Sequence, residues 1–555
     1  MRVQLSSRSL ASAVALSSVI ATLASLTVAG PSVAAASDST HRTSASGKVY
    51  VVDPAPEGIV APTRAPQARA ALSRSFTLHS RPGSQRTIFL DFDGASVSGT
   101  EWNGAATGLP AGDHPAWDPA GDGPSFSAGE LSTIQDVWAR VAEDYAPFDV
   151  DVTTADPGTA ALTRSGTSDQ VFGTRALITP SDQAVDAICG GVCGGLAFID
   201  VFDEPDFHSQ FQPAWIFPQT LMDDPKAVAE AVSHEVGHNF GLDHDGRGAS
   251  DYYEGHGSWA PIMGAGYSRP ITQWSRGDYA SATRPGEDDV AIIAANGAPY
   301  RDDEDGGTRA TASSALPTSV PAYVTKRSDV DYYALGTCSG QVTLRGTVAS
   351  VSPNLDLQLQ LVDDAGAVLA QADPISTAVN GDIASGLDAT LTQSVPSGTY
   401  FAAVDGVGNG SPSTGYDDYG SLGAYRLAVT GCGGAPQPEP QPEPEPVVEA
   451  PGAPRIAKAS PGSRGGGRTA VARWQPPESS PTSTDASAVS GYRLYAYQLD
   501  RSGVVVRTIT TRVLGAGLRS ASLGLRSGRY RFAVSARNAV GFGPLSARSN
   551  AVTAR

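Results

Sequence analysis

Three histidines in one short segment constrain this chain more than any other feature. Of its eight histidines, His234, His238 and His244 fall within a stretch of eleven residues. The first two are four residues apart, so on an α-helix they share one face. Gly241 can adopt the positive φ that ends a helix, after which the chain can turn back and bring His244 to the same place. The spacing therefore predicts three imidazoles gathered around one ion.

Glu235 directly follows the first histidine and is predicted to lie beside the same ion. Three imidazoles leave a fourth coordination position open, which is typical of a catalytic zinc ion rather than a structural one. Zinc acidifies a water molecule beside it, and a glutamate in this place takes the proton and passes it to the leaving amine. The alternatives are a chance helix with surface histidines and a domain that binds zinc without turnover. The presence of Glu235 argues against a domain that binds zinc without turnover.

The segment 234–245 resembles the signature of the metzincin zinc metalloproteases, and the aspartate after the third histidine, Asp245, resembles their reprolysin (adamalysin-like) branch. Metzincins also carry a methionine turn beneath the zinc. Residues 260–267 are similar to it, with Met263 as an apolar floor rather than a ligand. The resemblance covers about residues 85–300. It implies an α/β fold with a mixed five-stranded sheet and an active-site helix, and hydrolysis of peptide bonds in extracellular proteins.

The same resemblance implies how a substrate binds. The edge strand that pairs with a substrate peptide would contain Gly195, Leu196, Ala197 and Phe198. Two departures from the family pattern stand out. Ala265 occupies the position at which some metzincins have a catalytic tyrosine, so we assign no such role to Tyr267. No cysteine precedes Cys189, which excludes a cysteine-switch propeptide, and no other latency device is visible in the sequence.

Two other functions compete with a peptidase. One is a secreted binding or adhesion protein whose zinc-binding protease domain is inactive. The other is a zinc hydrolase that does not act on peptides. The methionine turn and the edge strand count against the second.

The four cysteines are an even number in a chain that we expect to be exported, which predicts disulfide bonds. Cys189 and Cys193 are close enough to form a small clip, and Cys338 and Cys432 could bracket a later domain. The competing interpretation is a cysteine-based zinc site, which would need a second close pair of cysteines.

Residues 1–36 are predicted to be a signal peptide. Arg2 and Arg8 accompany an apolar run at 10–28, and small residues at 34–36 suit signal peptidase. A membrane anchor is the alternative, but serines and alanines dilute the apolar run. We therefore expect a secreted, extracellular protein. The formal net charge of −18 argues against nucleic acid and anionic membranes as partners.

The remaining composition predicts a multidomain chain. Residues 37–85 are expected to be a propeptide or spacer, followed by the catalytic domain at 86–305. Residues 315–432 are similar to the bacterial pre-peptidase C-terminal (PPC) domain, a β-sandwich. A linker rich in proline and glutamate at 433–450 leads to residues 451–555, which resemble a second β-sandwich, the fibronectin type III domain.

Two weaker expectations concern ligands. The C-terminal modules are candidates to bind an extracellular protein or polysaccharide. The acidic stretch at 302–306 offers oxygen ligands for Ca²⁺, although its spacing does not match an EF-hand and a solvated acidic linker is the favoured interpretation.

Overall fold

The computed structural model describes residues 40–554, apart from 57–58, 60–65, 67, 122–125, 303–304, 434–450, 463–467, 478–488, 502, 504 and 539–541. The expected signal peptide, part of the expected spacer and nearly all of the expected linker lie outside the described residues. Among the helices that are described, none is long and apolar enough to cross a membrane. The domain boundaries given above stay predictions.

Five α-helices are described, and most of the regular structure is β-strand. The helices are α1 (Ala128–Asp144), α2 (Thr159–Leu162), α3 (Asp182–Ala184), α4 (Pro225–Asn239) and α5 (Asp289–Ala295). The strands of the first part of the chain are β1 (His41–Thr43), β2 (Val49–Pro54), β3 (Arg86–Asp91), β4 (Ala95–Val97), β5 (Gly112–His114), β6 (Asp151–Thr153), β7 (Phe172–Ile178), β8 (Cys193–Phe198), β9 (Ala214–Ile216), β10 (Trp259–Pro261) and β11 (Ile271–Gln273).

The later strands follow in two groups. The first group is β12 (Ala322–Val324), β13 (Val330–Val348), β14 (Leu357–Asp363), β15 (Val368–Ala372), β16 (Thr377–Ala378), β17 (Ala384–Ser385), β18 (Ala389–Gly406) and β19 (Gly423–Gly433). The second group is β20 (Arg455–Ile456), β21 (Ser460–Pro461), β22 (Thr469–Gln475), β23 (Gly491–Leu499), β24 (Val505–Thr510), β25 (Leu514–Gly515), β26 (Ser520–Gly524), β27 (Arg529–Arg537) and β28 (Val552–Thr553).

The main sheet of the first part is mixed, as expected, but it has seven strands rather than five. Its order is β1-β2-β8-β9-β7-β3-β6. Strands β6, β3, β7 and β9 run parallel, and β8 runs antiparallel to β9. The two additional strands, β1 and β2, lie within residues 37–85, which were expected to be a propeptide or spacer. A strand at the edge of a sheet exposes unpaired backbone groups. Because β2 pairs with the side of β8 that is not bound to β9, β8 is an interior strand, and the expectation of an edge strand at residues 195–198 is wrong for the intact chain.

Two helices pack beside this sheet, and local sequence signals set where both begin. Ser127 caps α1: its hydroxyl accepts a hydrogen bond from the amide of Glu130, and the Glu130 carboxylate accepts one from the amide of Ser127, which together form a capping box. Asp224 caps α4 in the same way, with Pro225 at the first helical position. Every residue of α4 is buried, because α1 covers one side of it and the sheet covers another.

The next part of the chain forms a six-stranded antiparallel sheet of order β12-β19-β13-β18-β14-β15. Long strands β13 and β18 pair over most of their length. The Cys338–Cys432 disulfide joins β13 to β19, where these two cysteines are directly opposite each other. This arrangement is consistent with a β-sandwich-like domain, whereas its similarity to the PPC family stays a prediction.

The last part of the chain is also entirely β in its described residues. One sheet contains β20, β22, β21 and β26, and the other contains β24, β23, β27, β28 and β25. Trp474 of the first sheet and Tyr492 and Tyr530 of the second are buried in one shared apolar cluster. Two antiparallel sheets around such a core are consistent with the expected β-sandwich.

Asp144, at the end of α1, connects the active-site helix to the sandwich that follows. Its carboxylate accepts hydrogen bonds from Ser233 Oγ of α4 at 2.6 Å and from Asn354 Nδ2 of the sandwich at 2.9 Å. Its backbone carbonyl accepts from Trp274 Nε1 at 2.7 Å. Burial, together with the charge of Glu230, raises the pKa of Asp144 to about 7. The helix that carries two of the three histidines is therefore tied to a neighbouring domain.

The preceding residue, Glu143, supports a test of this interface. Its carboxyl is buried against β19 and accepts a hydrogen bond from Ala424 N at 3.2 Å. Burial raises its pKa to about 8. Since this folded-state pKa lies above the unfolded value, the stability that the protonated group contributes is present below the unfolded pKa and is lost as the pH rises through the folded pKa.

We therefore predict that Glu143→Gln, which keeps the acceptor oxygen but cannot ionise, is more stable than the parent at pH 9 by on the order of a few kcal/mol. Near pH 5 the two proteins should have similar stability. Denaturant unfolding across this pH range measures the difference. The matched control is Glu254→Gln at an exposed position, which should follow the parent at every pH. A parent and Glu143→Gln pair that respond identically to pH would contradict the assignment.

Candidate metal centre

The three predicted histidines meet at one point inside the first domain. His234 and His238 project from α4, and His244 follows the end of that helix. One ligand atom from each, together with one carboxylate oxygen of Asp53, lie within 4.8 Å of one another, and all four residues are buried. The expected convergence of three imidazoles is therefore present, with a fourth residue that the sequence did not suggest.

Backbone carbonyls behind two of the rings fix which nitrogen faces the shared point. His234 Nδ1 lies 2.9 Å from Ile262 O, and His238 Nδ1 lies 2.7 Å from Leu242 O. A carbonyl oxygen only accepts, so each Nδ1 carries the proton and each Nε2 keeps its lone pair. Burial lowers the pKa of His238 to about 4, so this ring is neutral at neutral pH, as a metal ligand must be.

Gly241 makes the turn that returns the third histidine to the site. Its φ is +99°, a conformation that other residues adopt at a cost. The amides of Gly241 and Leu242 donate to His238 O and Gly237 O, which closes the helix end. His244 is then placed with its ring centroid 4.9 Å from that of His238 and 5.4 Å from that of His234.

Glu235 lies beside the three imidazoles, and strand β8 makes room for it. A Cβ atom at Gly195 would lie 2.1 Å from Glu235 Oε1, so a larger residue there would force this carboxylate to move. Burial, reinforced by the nearby Asp53 carboxylate, raises the pKa of Glu235 well above its usual range. The predicted general base and one predicted substrate-binding residue are therefore in direct proximity.

Met263 is fully buried beneath the histidine helix. A Cβ at Gly237 would lie 2.5 Å from its Sδ atom, so the methionine packs directly against the helix between the two histidines. Met263 O accepts a hydrogen bond from Asp245 N at 2.8 Å. Met263 is therefore a packing residue beneath the helix, and its assignment to a methionine turn stays a prediction.

Asp245, which follows the third histidine, anchors this turn to the chain beyond it. Its carboxylate accepts hydrogen bonds from Tyr279 Oη at 2.9 Å and Ser275 Oγ at 3.3 Å. Burial, together with the charge of Glu287, raises its pKa to about 6. The resemblance singled out Asp245, but the sequence offered no reason to connect it with residues 30 or more positions later.

Asp53 is the functional residue that the sequence analysis missed. Its Oδ2 lies 3.0 Å from His234 Nε2 and 3.7 Å from His238 Nε2, and its Oδ1 lies 3.1 Å from His244 Nε2. Burial alone would raise the pKa of Asp53, but the positive charge that His244 and His234 carry when protonated holds the pKa of Asp53 well below its usual range. A signal existed in the sequence: a run of β-branched and aromatic residues at 49–52 ends in a single aspartate before a proline.

Tyr252 is a second residue that the sequence did not single out. Its hydroxyl donates a hydrogen bond to Asp53 Oδ1 at 2.8 Å, and its ring centroid lies 4.3 Å from that of His244. It belongs to the segment between the third histidine and Met263. Tyr267, which follows the methionine turn, packs at the edge of the apolar core.

The other predicted residues are placed as follows. Gly195, Leu196, Ala197 and Phe198 all belong to β8 and are buried. Cys189 and Cys193 form a disulfide bond that leads into this strand. In the acidic stretch at 302–306, residues 303–304 lie outside the described residues, and Asp305 Oδ2 accepts a hydrogen bond from Tyr333 Oη at 2.8 Å. The calcium site stays a prediction.

The histidine cluster fits a zinc ion on its own chemistry. The Nε2 atoms of His234 and His238 are buried without a well-aligned hydrogen bond, which is costly for polar atoms unless another group binds them. Imidazole nitrogen is a preferred ligand of zinc, and hydrogen bonds from the far side of the ring to backbone carbonyls are typical of zinc-bound histidine. His234, His238 and His244 would hold the ion.

Residues 162–245 match the family model "Metallo-peptidase family M12B Reprolysin-like". The match includes β8, all three histidines and Glu235, and it ends at Asp245. It supports a metallopeptidase domain in this part of the chain, and a metallopeptidase domain implies protein or peptide substrates. No curated protein matches the chain.

Solved structures align with a limited part of the chain. The FN5 domain of Drosophila Lar is 22% identical over 19% of this chain and 96% of that domain, with a TM-score of 0.14. A fibronectin type III domain of human fibronectin type III domain containing protein 3 is 19% identical over 19% of this chain and 86% of that one, with a TM-score of 0.14. The twitchin kinase region from C. elegans is 19% identical, and the chain spans only 16% of it.

We predict that alanine in place of His234, His238 or His244 lowers the affinity for zinc by about 100-fold or more, because each change removes one of three ligands. Competition with a chromogenic chelator measures the affinity, and elemental analysis measures the metal content. His256→Ala is the matched control, since His256 contacts Tyr253 Oη and Gly415 O instead. Equal zinc affinity in all four variants would contradict the assignment of ligands.

Proposed function

We propose that the chain is a secreted, zinc-dependent endopeptidase that hydrolyses peptide bonds in extracellular proteins. The observation that carries this proposal is the placement of Glu235 beside three converging imidazoles and opposite Gly195 of β8. The family match over residues 162–245 supports the same class of reaction. The proposal of secretion rests only on the expected signal peptide at residues 1–36.

Zinc held by the three imidazoles would polarise a substrate carbonyl and make a neighbouring water more acidic. The chain's own residues supply the remaining chemistry. Glu235 lies where its carboxylate can accept a proton from that water and later donate it to the leaving amine nitrogen. Burial raises the pKa of the Glu235 carboxyl, which favours the protonated form that later donates to the leaving amine.

Strand β8 gives the site a way to hold an extended peptide. One edge of β8 pairs with β9, and its other edge pairs with β2. Once β2 is displaced, a substrate in extended conformation could form backbone hydrogen bonds along that edge, with alternate side chains in contact with the protein. Backbone pairing of this kind favours peptides over small esters, which argues against a non-peptidase zinc hydrolase.

The direct test is cleavage of a denatured protein and of a mixed set of quenched peptides by zinc-loaded protein. The N terminus should be sequenced so that intact and processed forms are assayed separately. We predict that a zinc chelator abolishes cleavage, and that Glu235→Gln abolishes it while the metal remains bound. If no form of the folded, zinc-loaded protein cuts any peptide, the alternative of an inactive, binding or adhesion protein takes its place.

A subtler change tests the contact between β8 and Glu235. We predict that Gly195→Ala lowers the rate of peptide hydrolysis by roughly 100-fold, because its Cβ displaces the Glu235 carboxylate by about 1 Å. The zinc content should not change, since the histidines are untouched. Gly191→Ala is the matched control, because a Cβ there would contact nothing within 4 Å. Full activity of Gly195→Ala would show that this carboxylate does not act from its observed position.

A further inference from the structure

Strand β2 occupies the edge of β8 that a substrate would need. The two strands pair antiparallel, with Tyr50 opposite Phe198, Val51 opposite Ala197 and Val52 opposite Leu196. The other edge of β8 is already paired with β9. A strand has only two hydrogen-bonding edges, so a peptide substrate cannot pair with β8 until β2 leaves it.

The same strand delivers a carboxylate to the metal centre. Asp53 pairs with Gly195, and the register then shifts, so that Pro54 pairs with Cys193. A bulge of this kind re-aims a side chain relative to a regular strand. The Asp53 carboxylate is buried, and its oxygens lie 3.0 and 3.1 Å from the Nε2 atoms of His234 and His244. Carboxylate oxygen is an established type of zinc ligand.

A metal ion held by three histidines and Asp53 would have four protein ligands. Closed, four-ligand sites are structural, whereas catalytic zinc sites keep one position for water or substrate. Asp53 therefore fills the position on which turnover depends. Asp53 Oδ1 also accepts a hydrogen bond from Tyr252 Oη, so Tyr252 and the histidines together fix the position of the carboxylate.

Contacts along the rest of the hairpin hold it in place. His41 Nε2 lies 2.9 Å from Oδ1 of Asp243, the residue that precedes His244 in the chain. Lys48 Nζ lies 2.9 Å from Glu204 Oε2. The buried ring of Tyr50 packs edge-on against Trp102 and Phe198, with ring centroids 5.3 and 5.6 Å apart. The hairpin is thus held by contacts of β1, of the turn between β1 and β2, and of β2 itself.

We propose that residues 41–54 form an inhibitory hairpin in which β2 takes the place of the substrate strand and Asp53 takes the fourth metal position. This inference rests on the proposed peptidase function and adds its regulation. The intact chain is then latent, and activity requires that the hairpin leave the cleft. Latency here needs no cysteine, which agrees with the absence of any cysteine before Cys189.

The test uses the full, uncleaved chain with Asp53→Ala, Asp53→Asn and a control, Asp186→Ala, which removes an exposed carboxylate of the same domain. Asp53→Asn keeps the shape of the side chain, so it reports on ligation even if Asp53→Ala weakens the fold. Mass spectrometry confirms that each chain is intact. Cobalt is then substituted for zinc, and the visible absorption spectrum reports the ligands independently of catalysis.

We expect both Asp53 variants to change the cobalt spectrum and to raise the rate of peptide cleavage by the intact chain about tenfold or more, because the competent population increases. Asp186→Ala should match the parent in both measurements. Identical spectra in parent and Asp53 variants would overturn the proposal. Changed spectra with an equal rate in every intact chain would overturn the inhibitory role.

A different outcome separates this proposal from the proposed function. If the spectra change but no form of the protein, intact or processed, cuts any peptide, then the peptidase function is wrong although Asp53 is a metal ligand. If the intact parent already cuts peptides at the rate of the processed form, the peptidase function stands and the hairpin is not inhibitory.

Discussion

The hydrogen bonds from His234 and His238 to backbone carbonyls are the interactions on which the rest of the site depends. Each bond fixes a ring orientation and a tautomer, so both Nε2 lone pairs face the same point. The two carbonyls belong to different segments, the methionine turn and the helix end. The site therefore forms only when helix α4, the turn at Gly241 and the chain around Met263 are all in place.

This dependence extends beyond the first domain. Ser233, next to the first histidine, bonds to Asp144, and Asp144 also accepts a hydrogen bond from Asn354 of the sandwich. Helix α4 is thus held through one buried carboxylate by the sandwich that follows the first domain. We interpret the sandwich as a support for the catalytic domain as well as a module in its own right.

Much of the site could be predicted because its signals are local. The spacing of His234 and His238, the glycine at 241 and the caps at Ser127 and Asp224 each act over a few residues of chain, where helix geometry dictates the outcome. The hairpin at 41–54 could not be predicted in the same way. Its pairing with β8 joins segments more than 140 residues apart in the chain, and neither composition nor periodicity specifies a partner at that distance. The seven-stranded sheet and the role of Asp53 follow from this one pairing, so both were missed together.

The measurement that tests the account most directly is anomalous X-ray diffraction at the zinc absorption edge from crystals of the zinc-loaded full chain. The account predicts one strong peak about 2.0–2.1 Å from the Nε2 atoms of His234, His238 and His244, with Glu235 beside it but not bound to it. A peak elsewhere, or one bound by fewer than three of these imidazoles, would contradict it.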